Sequence, residues 1–402
     1  MKILKDISIN NIEEYFQKIT DNSKILELSR EYSNKNFFDV ASQLQLIATF
    51  IRDNEEYTLK VPLKIISTDN KNSDEFEHEL EVFRQEVNYV ATIMSWGKRM
   101  INSESEDLER SYINNFTPII KNEMNTPEDL SQRTQKGNAL FLTCFDHFAG
   151  SKGLLDSFYL DKTKFYDQKE FFFSPFNDRL SNFSKSFNKS VAIDNLKSTF
   201  YDITQIIYEL MLNTHEWARS DEHFKELSPN IRGVYVKLHK GKIDNLRKKY
   251  SNAKALETYL KHDFSEDSQG LTTFFEISVF DSGPGFVKRN NQGYKNITIK
   301  DEVDIVKKCL TLHQTSASGY QQMVKGAGLD RISRILSSKG GFFKIRTARA
   351  SVYRDYVLNP YKEVSNYDEI SLSDWNNSSD NHFTEYSEVA GATINILYPF
   401  KY

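Results

Sequence analysis

Residues 208–217 read YELMLNTHEW and lie within a longer stretch, 194–219, on which the interpretation of the second half of the chain depends. Apolar residues recur there at helical spacing, as at Ile203, Ile207 and Leu210, which predicts a long amphipathic helix. Glu209 and Asn213 are four residues apart and therefore share one face of this helix. An Asn amide oxygen suits Mg²⁺, and a carboxylate one turn away is able to orient or deprotonate a water molecule. Taken alone, the pair is more often a solvated helix face.

Residues 281–285, DSGPG, follow an apolar segment, 274–280, that predicts a buried strand. Glycine at this position lets the backbone turn sharply and lets a ligand approach closely. The carboxylate of Asp281 is able to accept a hydrogen bond from an exocyclic amine such as that of adenine. An ordinary strand-ending turn has the same composition.

Residues 325–329, KGAGL, open a third segment, an amphipathic helix predicted over 329–336. Backbone N–H groups at a helix N-terminus bind anions, and glycine there allows close contact with phosphate. A single GxG before a helix is weak evidence for a phosphate-binding site. The order and spacing of the three segments together are much stronger evidence. The sequence contains no GxxxxGK[ST], so a P-loop is excluded.

ExxxN on a helix, DxGxG after a strand and GxGL opening a helix resemble the N, G1 and G2 boxes of the GHKL superfamily. Its members include gyrase B, the ninety-kilodalton heat-shock chaperone, histidine kinases and MutL. The resemblance covers residues 188–402 and implies a Bergerat-type ATP-binding domain. The expected fold class is α/β, an α+β sandwich in which a mixed sheet packs on helices, with ATP and Mg²⁺ as ligands.

The resemblance also implies a role for individual residues. Asn213 would ligate the Mg²⁺ that bridges the phosphates, Glu209 would be the catalytic general base, and Asp281 would read the adenine amino group. The remaining residues assigned to nucleotide binding are pocket glycines, the start of the phosphate-binding helix and a threonine of the last strand: Gly283, Gly285, Lys325, Gly326, Ala327, Gly328, Leu329 and Thr393.

Residues 286–325 correspond to the ATP lid in this resemblance. They contain seven Lys or Arg and three Asp or Glu, which suits a flap over a triphosphate, although a solvated loop has similar charges. The sequence departs from the family pattern in two places. Glu216 stands where histidine kinases often have a basic residue, and Gly391-Ala392-Thr393 stands where many members have Gly-Thr. Trp217 is at a position that is often aromatic in the family, and it lines the pocket or packs in the core.

We expect residues 1–187 to form a separate N-terminal domain of mixed α/β pattern, for which we recognise no family. Residues 37–53 predict a helix, 57–65 a half-buried strand placed at a sheet edge by Pro62, and 139–145 a buried strand. A sensor, a dimerisation platform and an effector all agree with this pattern. We expect a homodimer or a protein partner to involve this domain.

Composition limits the possible classes of protein. The chain has 402 residues and a net charge of −4, which argues against binding nucleic acid through bulk charge. Two cysteines exclude a disulfide framework, and no apolar run reaches membrane-spanning length, so a cytoplasmic location is the default expectation. Eight of the 16 glycines fall within residues 281–341, the region of the predicted nucleotide site.

These observations predict a protein that binds ATP together with Mg²⁺. Three alternative activities would use the same site, and the presence of both Glu209 and Asn213 favours hydrolysis. The first is slow ATP hydrolysis that switches the conformation or association of the chain. The second is a kinase that transfers phosphate to His or Ser of a partner; His78-Glu79 is the one tempting phosphoacceptor, and an exposed helical histidine is the better interpretation. The third is a module that holds ATP without turning it over.

Overall fold

The computed structural model of the chain describes residues 1–19, 24–34, 36–68, 70–125, 138–148, 150–161, 163–166, 168–187, 191–290, 296–311 and 328–402. Lys325, Gly326 and Ala327, which we expected to bind phosphate, lie outside these residues. Their assignment therefore stays a prediction.

The described strands are, in chain order, β1 (Ile25–Glu27), β2 (Thr58–Lys60), β3 (Arg99–Ile101), β4 (Ala139–Cys144), β5 (Tyr159–Leu160), β6 (Lys164–Phe165), β7 (Arg232–Gly241), β8 (Thr272–Asp281), β9 (Phe342–Ala348), β10 (Ala350–Asp355), β11 (Ser373–Asp374) and β12 (Val389–Pro399). The predicted strands over 274–280 and 139–145 are confirmed as β8 and β4. The predicted strand over 57–65 is confirmed only in its first half, as β2.

The described α-helices are α1 (Ile12–Lys18), α2 (Asp39–Asp53), α3 (Asp74–Arg84), α4 (Glu86–Met94), α5 (Arg110–Ile113), α6 (Thr117–Asn125), α7 (Gly150–Gly153), α8 (Lys169–Ser181), α9 (Ile193–Trp217), α10 (Ile243–Lys249), α11 (Lys254–Tyr259), α12 (Gly285–Asn290), α13 (Ile299–Leu310) and α14 (Gly328–Lys339). The helices predicted over 37–53, 194–219 and 329–336 are confirmed as α2, α9 and α14. In the described part of the chain, none of the helices is both long and apolar enough to span a bilayer.

The largest sheet of the described chain has seven strands in the order β11-β10-β9-β12-β8-β7-β4. All of its neighbouring strands are antiparallel. The prediction of a mixed sheet is therefore wrong. The reason is visible at β9 and β10, which follow each other through a tight turn, and such a connection makes neighbours antiparallel.

Helices cover both faces of this sheet. On one face lie α9 and α14, and Phe200 of α9 packs edge-on against Phe275 of β8. On the other face α2 lies along β12 and β8, where Gln45 accepts a hydrogen bond from the hydroxyl of Thr393. The structure is thus an antiparallel sheet between helices, and the α9 face holds the predicted site.

A smaller parallel sheet, in the order β1-β2-β3, lies in the first hundred residues. Its central strand is β2, so the edge position predicted from Pro62 is wrong. The strand ends at Lys60, two residues before the proline, and the missing N–H of Pro62 does not interrupt the ladder.

The large sheet includes strands from both sides of the boundary predicted at residue 188. Its edge strand β4, from the first half, pairs with β7 along six residues. One continuous hydrophobic core extends from Ile3 to Phe400, and it joins residues of α2, α4 and α8 to residues of the sheet. The two halves of the chain therefore share a core.

Candidate functional site

A cavity of about 420 Å³ opens between α9, the ends of β8 and β12, and the N-termini of α12 and α14. Six of the residues predicted to form a nucleotide site line it, although they come from three distant segments: Glu209, Asn213, Asp281, Gly285, Gly328 and Leu329. Glu216 and Trp217 line it as well. The three sequence motifs therefore meet in one place.

One end of the cavity is formed by α9 and the start of α14. Glu209 is almost buried, with 8% of its side chain exposed, and it projects toward α14 beside Asn213. A methyl group added at Gly328 would lie 2.9 Å from Glu209 Oε2 and 3.8 Å from Asn213 Nδ2. The absence of a side chain at Gly328 thus keeps space open in front of both polar groups.

Two cations bind the carboxylate of Glu209. Lys169 Nζ of α8 lies 2.7 Å from Glu209 Oε1, and Arg331 Nη1 of α14 donates to the same oxygen. Both cations line the cavity. Neither of them was predicted from the sequence. The sequence gives a weak indication that Arg331 belongs to the site, because Arg331 follows Gly328 by one helical turn. It gives no such indication for Lys169, which is 40 residues from Glu209 along the chain.

The other end of the cavity is formed by Asp281, the last residue of β8. Its Oδ1 accepts a hydrogen bond of 2.8 Å from the N–H of Gly283. Burial raises the pKa of Asp281 to about 6, although that hydrogen bond and the positive charge of Arg52 act in the opposite direction. The carboxylate is thus an acceptor at the edge of the cavity at neutral pH.

Backbone conformations that favour glycine shape the wall beside Asp281. Gly285 has φ of +68° and Gly391 has φ of +66°, a region that other residues seldom adopt. A methyl group at Gly391 would lie 1.9 Å from the carbonyl oxygen of Asp281, and one at Gly283 would lie 2.6 Å from Cα of Ala218. These close approaches explain why glycine occupies these positions.

Thr393 does not line the cavity, contrary to its predicted role. The pairing of β12 with β8 places Ala392 opposite Asp281 and Thr393 opposite Phe280, and side chains alternate between the faces of a strand. Thr393 therefore faces α2 and donates to Gln45 there. The ladder between β12 and β9 is irregular between Val389 and Ala392, just before this position.

Helix α2 supports the wall of the cavity from behind. Arg52 donates to the carbonyl oxygens of Ser282 and Gly283, the latter at 2.8 Å. Thr49 accepts from the N–H of Ala390, and the side-chain amide of Gln45 donates to the carbonyl oxygen of the same residue. Residues of the first half of the chain thus fix the backbone that surrounds Asp281. The sequence gives no indication that Arg52 belongs to the site, because Arg52 is 230 residues from Ser282 along the chain.

The described part of the predicted lid consists of two helices, α12 and α13. Glu302 of α13 is fully buried and binds Arg349, which links the helix to the β9–β10 turn, and Lys288 of α12 pairs with Glu388. Arg289 lines the cavity and donates to the carbonyl oxygens of Trp217 and Ser220. Most of the remaining lid, including residues 312–325, lies outside the described residues, so closure over a nucleotide stays a prediction.

The donor set fits Mg²⁺ only as an ion that keeps most of its water. The described residues contain no group of three or more His, Cys, Asp or Glu able to hold a metal ion. Asn213 is one neutral oxygen ligand beside an open space, which suits an ion whose other ligands are waters and phosphate oxygens. A metal bound by the protein alone does not fit this cavity.

Comparisons of the chain with protein-family models, with curated proteins and with solved structures find no match. A function therefore has to be inferred from the cavity and its residues. The cavity joins an apolar floor, which includes Val279 and Ile394, to an acceptor at one end and to two cations and an amide at the other. This arrangement suits a ligand with a flat base and a polyanionic tail.

Proposed function

We propose that the chain binds ATP together with Mg²⁺ and hydrolyses it slowly, and that its nucleotide state changes its conformation or its association with a partner. One observation supports this most. Glu209 and Asn213 of α9, Asp281 after β8 and Gly328 at the start of α14 line the same cavity, in the order that the three motifs require.

The adenine ring would occupy the end at Asp281. The carboxylate would accept a hydrogen bond from the exocyclic amine, while Val279 and Ile394 contact the ring from the sheet and Trp217 closes the side. Because Gly283 already donates to Oδ1, the carboxylate is held in position before the base arrives. This end would supply the selectivity for adenine.

The phosphates would occupy the end at Gly328. Asn213 would hold the Mg²⁺ ion, which when bound would neutralise phosphate charge. Glu209 would orient the attacking water and accept its proton as the bond from the γ-phosphorus to the bridging oxygen breaks, which yields ADP and inorganic phosphate. Leu329 and the N-terminus of α14 border this end.

The hydrolysis test compares phosphate release by the wild-type chain and by Glu209→Gln in Mg²⁺ and ATP. We expect slow release by the wild type and a decrease of at least about 100-fold in Glu209→Gln, with ATP binding retained. Lys197→Met, an exposed change on the same helix, should leave the rate unaltered. Equal rates in the wild type and Glu209→Gln would contradict the assignment of Glu209 as the base.

A non-catalytic ATP-binding module is a second candidate, and the contacts of Glu209 favour it. Lys169 and Arg331 both bind its Oε1, so that oxygen is already occupied and is not free to orient a water molecule. Bound ATP that is recovered unchanged after hours, with Glu209→Gln indistinguishable from the wild type, would select this candidate.

The kinase alternative gains no support from the region of His78. The histidine lies exposed on α3, but Glu79 beside it is buried, bonded to Arg30 at 2.5 Å and to the N–H of Lys64. Glu79 therefore binds the loop that follows β2 and does not orient His78. Transfer of labelled γ-phosphate to a protein would nevertheless favour a kinase over both other candidates.

A further inference from the structure

Two cations from different parts of the chain meet at the carboxylate of Glu209. Lys169 belongs to α8, in the first half of the chain, and Arg331 belongs to α14, in the second. Lys169 Nζ lies 2.7 Å from Oε1 of Glu209, and Arg331 donates to the same oxygen. The three groups line the cavity at the end where Gly328 leaves space.

The two cations are more exposed to solvent than the glutamate that they bind. Glu209 has 8% of its side chain exposed, whereas Lys169 has 37% and Arg331 has 38%. Both cations are therefore partly exposed while they bind the glutamate. Two positive charges also exceed the single negative charge that they share, which leaves a local surplus for an anion.

We propose that Lys169 and Arg331 bind the terminal phosphate of the nucleotide, and that this phosphate displaces Glu209 from them and frees its carboxylate to act on water. This inference rests on the proposed function. A phosphate group accepts more charge-assisted hydrogen bonds than one carboxylate oxygen, and Arg binds phosphate in a bidentate manner. The exchange therefore couples the presence of the terminal phosphate to activation of the base.

Two consequences follow from such an exchange. ATP should bind more tightly than ADP, because ADP lacks the group that pairs with both cations. Lys169 lies on α8, which packs against α9, so the terminal phosphate would also be sensed by the first half of the chain. Nucleotide state would reach that half through one side chain.

The first experiment measures dissociation constants for ATP and for ADP, each with Mg²⁺, by calorimetry. Lys169→Met and Arg331→Met should each weaken ATP binding about tenfold and ADP binding by less than about threefold, as expected for loss of one charged contact to phosphate. Lys169→Arg should retain most of the preference for ATP. Lys197→Met, an exposed change on α9 about 18 Å along the helix from Glu209, should alter neither constant.

The second experiment tests competition by a double-mutant cycle. Glu209→Gln should tighten ATP binding about threefold to tenfold, because it removes the group that competes with phosphate for the cations. The gain should vanish when Lys169→Met is combined with it. A merely structural role for Lys169 would give additive effects, and ATP and ADP would change equally.

The outcomes separate this inference from the proposed function. Loss of selectivity for ATP in both cation variants, together with a non-additive cycle, supports the inference. Binding of ATP and ADP by every variant with an unchanged ratio would overturn it and leave ATP binding intact. No binding of either nucleotide to the wild type or to Glu209→Gln would overturn the proposed function itself.

Discussion

Asp281 is in surroundings that disfavour its charge, yet it is ionised at neutral pH. It lies at the end of a strand whose other residues are all buried, and burial raises its pKa to about 6 from an ordinary value of 3.8. At neutral pH the group is nevertheless ionised, which is the form best able to accept hydrogen bonds from an amine. We infer that the position is maintained for binding at a cost in stability.

Asp281→Asn should therefore stabilise the fold at pH 7.5. Since the folded pKa is raised, the protonated carboxyl contributes stability that is present below about pH 4 and is lost as the pH rises through about 6. An amide keeps the acceptor for Gly283 and carries no charge. We expect a gain of about 1–2 kcal/mol in the free energy of unfolding at pH 7.5, below the full linkage energy because the cavity admits water.

Urea unfolding at pH 7.5 and at pH 5.0 checks this expectation. The gain should shrink at pH 5.0, where the wild-type carboxyl is mostly protonated. Asp107→Asn, at a side chain that is 71% exposed, serves as the control and should alter stability little at either pH. A variant less stable than the wild type at pH 7.5 would mean that Asp281 contributes to folding rather than opposing it.

The position of a site residue was predictable from the sequence where a short motif places it on a known face of a helix or at the end of a strand. The spacing of Glu209 and Asn213 places both on one helix face, and the structure places both in the cavity. Thr393 was not predictable, because its face depends on which residue of β12 pairs with Asp281, and the local sequence of β12 does not determine that pairing. Lys169 and Arg52 reach the site across 40 and more than 200 residues, and such contacts leave no local pattern.

At the scale of elements, α2 is the link between the first half of the chain and the cavity. Its polar side chains bind backbone groups of Ala390 and Gly283 beside the cavity. Polar residues on a buried helix are costly unless they are bonded in this way. Helix α2 therefore helps to set the position of the loop that follows Asp281.

Arg52→Ala should weaken both the fold and the site. Two donors to carbonyl oxygens of the buried residues Ser282 and Gly283 would be lost, which should lower the free energy of unfolding by about 1–3 kcal/mol. We also expect nucleotide affinity to fall, because the loop would no longer be held. Lys in place of Arg should rescue only part of both effects, since it lacks the planar fork.

Urea unfolding and calorimetry with Mg²⁺ and ATP measure the two effects. The matched control is Arg99→Ala, which removes an arginine that is 64% exposed and pairs with Asp107 at the surface. It should cost less than about 1 kcal/mol and leave nucleotide affinity unchanged. Similar losses in the two variants would show that Arg52 has no special role in positioning the loop.

The type of an element was easier to predict than its pairing. The periodicity of α2, α9 and β8 identified each of them, because an amphipathic pattern depends on the local sequence alone. The antiparallel arrangement of the large sheet and the short strand β11 were missed. Strand pairing depends on contacts between distant segments, and a two-residue strand has no pattern to recognise.

At the scale of the whole molecule, the two halves share the large sheet and its hydrophobic core. Strand β4 adds its edge, α2 covers one face, and a single core contains side chains of both halves. The division at residue 188 that the sequence suggested marks where the family resemblance begins. It does not separate two hydrophobic cores.

A fragment of residues 191–402 should accordingly fail to fold by itself. Removal of α2 and β4 would expose apolar residues such as Phe280 and Leu397, which are buried in the full chain. We expect no cooperative unfolding transition by circular dichroism and no nucleotide binding. A fragment that unfolds cooperatively and binds ATP as the full chain does would show that the second half is an independent domain.

The most direct test of the central claim is calorimetry of Mg²⁺ and ATP with the full chain and with Asp281→Asn. We predict binding of one nucleotide per chain by the wild type, with affinity reduced at least about tenfold in Asp281→Asn, which remains folded. Loss of binding without loss of folding would place the adenine at Asp281. Absence of binding at millimolar ATP, or equal affinity in the two proteins, would contradict the account.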